Sequence, residues 1–477
     1  MSLPLPLSTP THKTKNHKLK NSHTHAQACV ICKVKKKQKR KDGHCIFSAC
    51  ACILKIAVWI SIYCLRYRLK GWICRYRFLL RFRWKYVVGI IAFVIGILVT
   101  IVEPPVKLLG YFLTVTGLVL GLILLVTDTV KLSQRKDSFY EIKVKSKVLR
   151  SLRMSDNYID YQFIDFNGNR ALYSSDVNLL ITSTPLEFLM EKDKFKLNLT
   201  AMEIAPFAIQ KAFKVGGILF NDPKVRMKSD LTVKAIKSKQ KIALQRTDYF
   251  SGICTNELTC REVWTKKDRV QKYDGLSFMS SNGIILDLQQ SHCSNHAGTN
   301  VLAFTKDGYM VVTIQSGETM QSPDLYAPSG SGSADFKDFE QNPETFVVSA
   351  MERELMEECG LVNDVKRTNN RIVHTHLIGF ARNLNRGGKP EFFGVAYIDA
   401  PFQSLKVTRK EVMFVSDITE IRIDRSQIEE LGKNLKNFRK KKRNLMSFDL
   451  YLNLVFLEDY LESCPSLFVD LISAPEN

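Results

Sequence analysis

Residues 352–361, ERELMEECGL, set Glu354, Glu357 and Glu358 beside Arg353 in a helical stretch that ends in Gly360. At about 100° per residue the three glutamates fall within roughly 100° of arc. Like charges at helix-neighbour spacing repel by a few tenths of a kcal/mol per pair in water, and by more where water is scarce. A divalent cation reverses that sign. Carboxylate oxygens on adjacent turns are ligands that Mg²⁺ or Mn²⁺ prefers, and such an ion keeps some waters and bridges to substrate phosphates. The chemistry open to this stretch is therefore metal-assisted attack of water on phosphorus. A solvated acidic face is the alternative that an EExxE spacing alone leaves open.

The elements that would position these side chains can be read on either side. Asn342 is placed as an N-cap with Pro343 at the first helical position, and Gly360 suits the left-handed residue past the helix end, so a helix is expected over about 343–359. Val348, Met351, Leu355 and Cys359 form an apolar stripe that can dock on a sheet. Strand-like runs NVLAF and YMVVTIQ flank the turn TKDG, a hairpin signal, and a glycine-serine loop PSGSGSADFKDFE follows. After the helix come a second hairpin, HLIGFARNLNRGGKPEFFGVAYID, the strand-like KEVMFVSDI and a closing helix FDLYLNLVFLEDYL.

The run Arg353 to Leu361 resembles half of the Nudix hydrolase signature: arginine, glutamate, apolar, any, two glutamates, any, glycine, apolar. Every specified position in that half agrees, and the resemblance extends to the order of elements over about 275–462. It implies an α/β/α sandwich with a mixed sheet. It also implies that Glu354, Glu357 and Glu358 bind Mg²⁺ or Mn²⁺ and that Arg353 orients the helix by pairing with a glutamate. A later glutamate often completes such sites; Glu411, beside VMFV, is the first choice and Glu391 the second. One of Glu354, Glu357 or Glu411 would serve as base. The implied activity is pyrophosphohydrolysis of a nucleotide-type small molecule, a nucleoside diphosphate linked to another group.

The upstream half of the signature departs from the family. A glycine fourteen residues and a glutamate eight residues before the arginine are expected, and Phe339 and Thr345 stand there. Glu344 is one residue early, and Gly330 and Gly332 lie further back, as if the loop carries an insertion. Those two glycines are the candidates for a loop that contacts substrate phosphates. A Nudix-like nucleotide sensor signalling through a membrane hairpin is the alternative function; retention of all three glutamates favours the hydrolase.

Charge divides the chain. The formal net charge is +22, and residues 1–85 hold 20 Lys and Arg against the single acid Asp42, a net +19 that leaves +3 for the rest. A basic tail of this kind, including KVKKKQKRK without interleaved aromatics, does not describe a nucleic-acid-binding face, and no nucleic-acid partner is expected. Behind it lie YVVGIIAFVIGILVTIV (86–102) and LLGYFLTVTGLVLGLILLVT (108–127), each uncharged and long enough for a ~30 Å hydrocarbon core. Basic residues before and after them predict a two-pass membrane hairpin with both ends cytoplasmic. The apolar 46–65 carries Lys55 and basic flanks, and is expected not to span.

The expected organisation is thus a basic tail (1–85), a transmembrane hairpin (86–130), a small mixed α/β lead-in (131–274), a Nudix-like domain (275–462) and a C-terminal tail (463–477). Within the lead-in, Asp248 and Glu257 lie in an irregular stretch, QRTDYFSGICTNE, where they could touch a ligand but read first as loop residues. Seven of twelve cysteines lie in the first 74 residues, which is not a secreted disulfide framework. Cys29, Cys32, His44 and Cys45 lack usual zinc spacing, since the last two are adjacent.

Overall fold

The computed structural model describes residues 140–144, 146–215, 220–317, 322–361, 372–407, 415–422 and 428–464, with scattered helical residues between 69 and 119. These belong to one compact unit, Tyr67–Asn477. The strands of the first half are β1 (Tyr140–Val144), β2 (Gln162–Phe166), β3 (Asn169–Tyr173), β4 (Phe188–Met190), β5 (Pro223–Met227), β6 (Ile242–Asp248), β7 (Arg261–Thr265), β8 (Gln271–Asp274), β9 (Ser280–Ser281) and β10 (Ile284–Ile285). Those of the second half are β11 (Gly298–Thr305), β12 (Tyr309–Gln315), β13 (Tyr326–Ala327), β14 (Gly330–Ser333), β15 (Ile372–Asn383), β16 (Lys389–Ile398) and β17 (Val415–Arg422). The helices are α1 (Ser175–Ser183), α2 (Leu199–Val215), α3 (Val233–Lys237), α4 (Tyr249–Cys254), α5 (Phe336–Gln341), α6 (Phe346–Cys359), α7 (Ile428–Lys441) and α8 (Phe448–Ser463).

A nine-stranded sheet carries the architecture, in the order β13-β12-β11-β16-β15-β3-β2, with β14 paired to β11 and β17 to β12. The pair β11·β16 is parallel, Gly298 opposite Glu391, and the hairpins β11·β12 and β15·β16 are antiparallel. All eight residues of β11 and all ten of β16 are buried, because helices cover both faces. On one face Val301, Ala303, Phe392 and Ala396 meet Phe346, Ala350, Met351 and Leu355 of α6. On the other, Leu302, Phe304, Phe393 and Val395 meet Leu431 and Leu435 of α7 and Leu450, Leu454 and Phe456 of α8.

The expected architecture is corrected on two counts. The chain is mixed α/β with several sheets, not a single sandwich behind a separate small region. Besides the nine-stranded sheet there are β1-β7-β8, β4-β6-β5 and β9-β10, and the lead-in strands β2 and β3 extend the large sheet beside β15. Lead-in strand β5, in the sheet β4-β6-β5, also bonds to the residues that flank β14 and β11: Val225 N–H donates to Ala334 O at 3.1 Å, and Ala297 N–H to Val225 O at 2.9 Å. The reason is backbone satisfaction, since edge N–H and C=O groups this well buried must find partners across any boundary drawn from composition.

The second correction concerns the membrane. Apart from a few helical positions between 110 and 119, the runs 86–102 and 108–127 lie outside the described residues, as do 46–65 and Cys29, Cys32, His44 and Cys45. Among the described residues no helix is long and apolar enough to cross a membrane. The longest complete ones, α2 with 17 residues and α8 with 16, fall short of a ~30 Å core and turn apolar side chains inward. The two-pass topology, and the cytoplasmic placement of both ends drawn from it, are therefore not upheld.

Candidate active site

Helix α6 begins at Phe346, three residues later than the sequence suggests. Asn342 closes the preceding short helix α5 instead of opening α6. That helix forms where a loop was expected, because Asp338 reaches back to accept from the Asp335 N–H at 2.8 Å and fixes its first turn. The C-terminus is as the sequence suggests: Gly360 has φ 69°, and a Cβ there would strike Lys406 O. The docking face is broader than the predicted stripe, since Phe346, Val347, Ala350 and Glu358 are also buried while Val348 is half-buried.

Arg353 is the hub. Its Nε donates to Asp338 Oδ1 at 3.0 Å and its Nη2 to Asp338 Oδ2 at 3.0 Å, a bidentate pair. Its Nη1 donates to Glu354 Oε1 at 2.9 Å and to Glu357 Oε2 at 3.2 Å, and Nη2 reaches Ser333 O at 3.3 Å. The expected pairing of Arg353 with a glutamate is present, but the stronger, doubly bonded partner is Asp338, which the sequence reading passed over.

The glutamates do not behave alike. Glu354 is nearly enclosed, its side chain 13% exposed, whereas that of Glu357 is 44% exposed. Glu358 turns into the interior, where its Oε1 accepts from the Ser331 N–H at 3.0 Å. Burial pushes the Glu354 carboxyl above its ordinary range, against the opposing pull of Arg353 and Lys224.

Lys224, from lead-in strand β5, was not singled out from sequence. Its Nζ lies 2.5 Å from Asp335 Oδ1 and 3.2 Å from Ser333 O. Burial works against the Asp335 carboxylate, but Lys224 and then Arg353 outweigh it and hold that pKa low. Four carboxylates (Asp335, Asp338, Glu354, Glu357) are thus gathered around Arg353 and Lys224, with Lys337 acting on Asp335 as well.

Gly330 and Gly332 are not a free loop. They lie in β14, paired with Val301 and Thr299 of β11, and their lack of side chains lets α6 approach. A Cβ on Gly330 would come within 2.6 Å of Leu355 N, and one on Gly332 would fall on the Glu354 carboxylate. Glu391 lies on the wrong face: it shares strand parity with Phe393 and Val395 under α8, whereas α6 packs on Phe392 and Ala396. Glu411 lies outside the described residues. Asp248 caps α4 by accepting from the Ser251 N–H at 3.0 Å, and Glu257 pairs with Arg386 at 2.6 Å.

Among the described residues no group of three or more His, Cys, Asp or Glu is arranged to hold a metal ion. Two carboxylates are nonetheless gathered on one point. Glu354 Oε1 and Glu357 Oε2 both bind a single Arg353 nitrogen, and Mg²⁺ is commonly held by one or two carboxylates plus water and phosphate. In this arrangement the Arg353 guanidinium supplies the positive charge between the two carboxylates.

Removing the Asp338 carboxylate leaves the Arg353 guanidinium without its bidentate partner and uncaps α5. Asp338→Ala is expected to lower stability by about 2–3 kcal/mol in urea unfolding, with Asp338→Asn costing less because it retains an acceptor.

No known family profile matches the chain, and no curated protein matches it. Among solved structures, the crystal structure of DR0079 from Deinococcus radiodurans aligns at 14% identity, covering 34% of this chain and 81% of that one, with a TM-score of 0.23. A likeness that slight carries no argument about fold or activity.

Proposed function

We propose that this protein hydrolyses a diphosphate bond in a nucleoside-diphosphate-linked small molecule, using Glu354 and Glu357 with Mg²⁺ or Mn²⁺. The observation that carries the reading is the convergence of Glu354 Oε1 and Glu357 Oε2 on one Arg353 nitrogen, at 2.9 and 3.2 Å. The resemblance of Arg353–Leu361 to the Nudix signature supports it. So does the pair Gly332 and Asp338, whose separation of six residues equals that of the family's glycine and upstream glutamate. Asp338 then stands for that glutamate, pushed seven residues further from Arg353 by an insertion that contains Asn342 and Pro343.

In this reading Asp338 holds the Arg353 guanidinium in place, and Arg353 in turn aligns Glu354 and Glu357 across one turn of α6. Glu358 anchors the helix to β14 through Ser331, which fixes the height of the other two carboxylates over the sheet. Glu354, with a carboxyl raised by burial, is suited to take the proton from an attacking water at a carboxylate oxygen. The bound ion would supply positive charge to the phosphoryl oxygens.

The test is a screen of nucleoside-diphosphate compounds with the purified chain and Mg²⁺ or Mn²⁺, following release of a mononucleotide. Turnover that needs the metal supports the reading. Saturable nucleotide binding without turnover on any diphosphate would instead identify a non-catalytic nucleotide binder.

A further inference from the structure

On the sheet face away from α6, beneath the first turns of α8, lies a layer of buried charge that the proposed reaction does not use. Lys389 Nζ donates to Glu391 Oε1 at 2.6 Å, and both residues are 2% exposed. Arg386 Nη1 reaches the same oxygen at 3.3 Å, and its Nη2 binds Glu257 Oε1 at 2.6 Å. Gly298 makes room for this pair, since a Cβ there would fall on the Glu391 carboxylate.

Helix α8 adds two polar side chains from above. Asp449, Asn453 and Phe456 share one stripe at helical spacing, and Phe456 packs on Phe393, whose ring centroid is 5.1 Å away on the strand that carries Glu391. That stripe therefore faces the sheet, with Asp449 and Asn453 over the charged end. Asn383, the cross-strand partner of Lys389, lies on the same face. Four enclosed atoms here, Asn383 Oδ1, Asp449 Oδ1, Asn453 Oδ1 and Asn453 Nδ2, have no hydrogen-bond partner among the described residues, and Asn453 is fully buried. Buried polar atoms are seldom left so, and each such case calls for an explanation.

Two facts select the ligand class. Three of the four atoms are oxygens, which suits a cation. The charges also leave a remainder: Glu257, Glu391 and Asp449 against Arg386 and Lys389 give one excess negative charge in a water-poor layer. A divalent ion would overshoot that remainder, an anion would enlarge it, and water alone would leave it standing. We infer that Asp449, Asn453 and Asn383 form a structural binding site for one monovalent alkali cation, Na⁺ or K⁺.

The experiment is thermal unfolding of the full chain at pH 8 in NaCl, KCl and N-methylglucamine chloride at equal ionic strength, so that screening is common to all three. The unfolding midpoint should be higher in Na⁺ or K⁺ by about 3–6 °C at saturation and should follow a single-site curve. Asp449→Asn and Asn453→Leu should each erase the difference between salts. The wild-type comparison among the three salts stands even where a variant fails to fold. Equal midpoints in all three salts at pH 8 would overturn the inference. So would a difference that persists undiminished in Asp449→Asn and Asn453→Leu.

Discussion

Glu357→Gln is expected to reduce metal-dependent turnover of a diphosphate substrate by ~10²-fold or more while leaving circular dichroism unchanged. The substitution keeps size and shape but removes one of two anionic oxygens gathered at the Arg353 nitrogen. Its half-exposed position means that no packing is disturbed. Glu354→Gln should be at least as damaging, because it removes both a ligand and the group best placed to take a proton. Glu358→Gln is expected to cost clearly less, since its amide oxygen can still accept from the Ser331 N–H. Rates at saturating Mg²⁺ for the three variants distinguish this ordering from two others. A solvated acidic face predicts no loss in any of them, and a three-carboxylate cage predicts equal losses.

That ordering shows where sequence reasoning stops. Spacing alone puts Arg353, Glu354, Glu357 and Glu358 on one helix and ends it at Gly360, because helical periodicity and the left-handed cap are local properties of the chain. Whether a glutamate on that helix faces solvent, guanidinium or sheet depends on what docks against it. Glu358 is drawn inward by an N–H of β14, a strand that reads in the sequence as a glycine-serine loop. Asp338 and Lys224 were missed for the same reason. They lie 15 and 129 residues from Arg353: Asp338 meets it because α5 folds back, and Lys224 reaches Asp335 and the Ser333 carbonyl, which Arg353 also binds, because β5 bonds to Ala334 and Ala297. Strand parity was available from sequence and would have removed Glu391 at once. The alternation that places Phe393 and Val395 under α8 places Glu391 there too. Composition does not register the hydrogen bonds that cross residue 274, such as those of Val225 with Ala297 and Ala334.

The strength of that crossing can be measured at Arg382, the largest fully buried side chain. From β15 its Nη1 reaches Asp230 Oδ1 at 3.2 Å and Leu286 O at 3.0 Å and also binds the Tyr158 hydroxyl, while Nε donates to Gly388 O at 3.1 Å. Tyr158 and Asp230 belong to the stretch expected to be a separate lead-in. Arg382→Met is expected to destabilise the protein by roughly 3–5 kcal/mol in urea unfolding, because it strands a buried carboxylate. Burial already raises the Asp230 pKa, and Arg382 is the leading opposing influence. Without it the raised value climbs further. A carboxyl whose folded pKa exceeds its unfolded value contributes stability at low pH that is lost as pH rises through the folded value. The deficit of Arg382→Met should therefore be larger at pH 8 than at pH 5, and Asp230→Asn in the same chain should recover part of it. Wild-type unfolding in a single transition, lost as a unit in the variant, is the result expected of one compact body. Two transitions, with only the second shifted, would restore the lead-in as an independent domain.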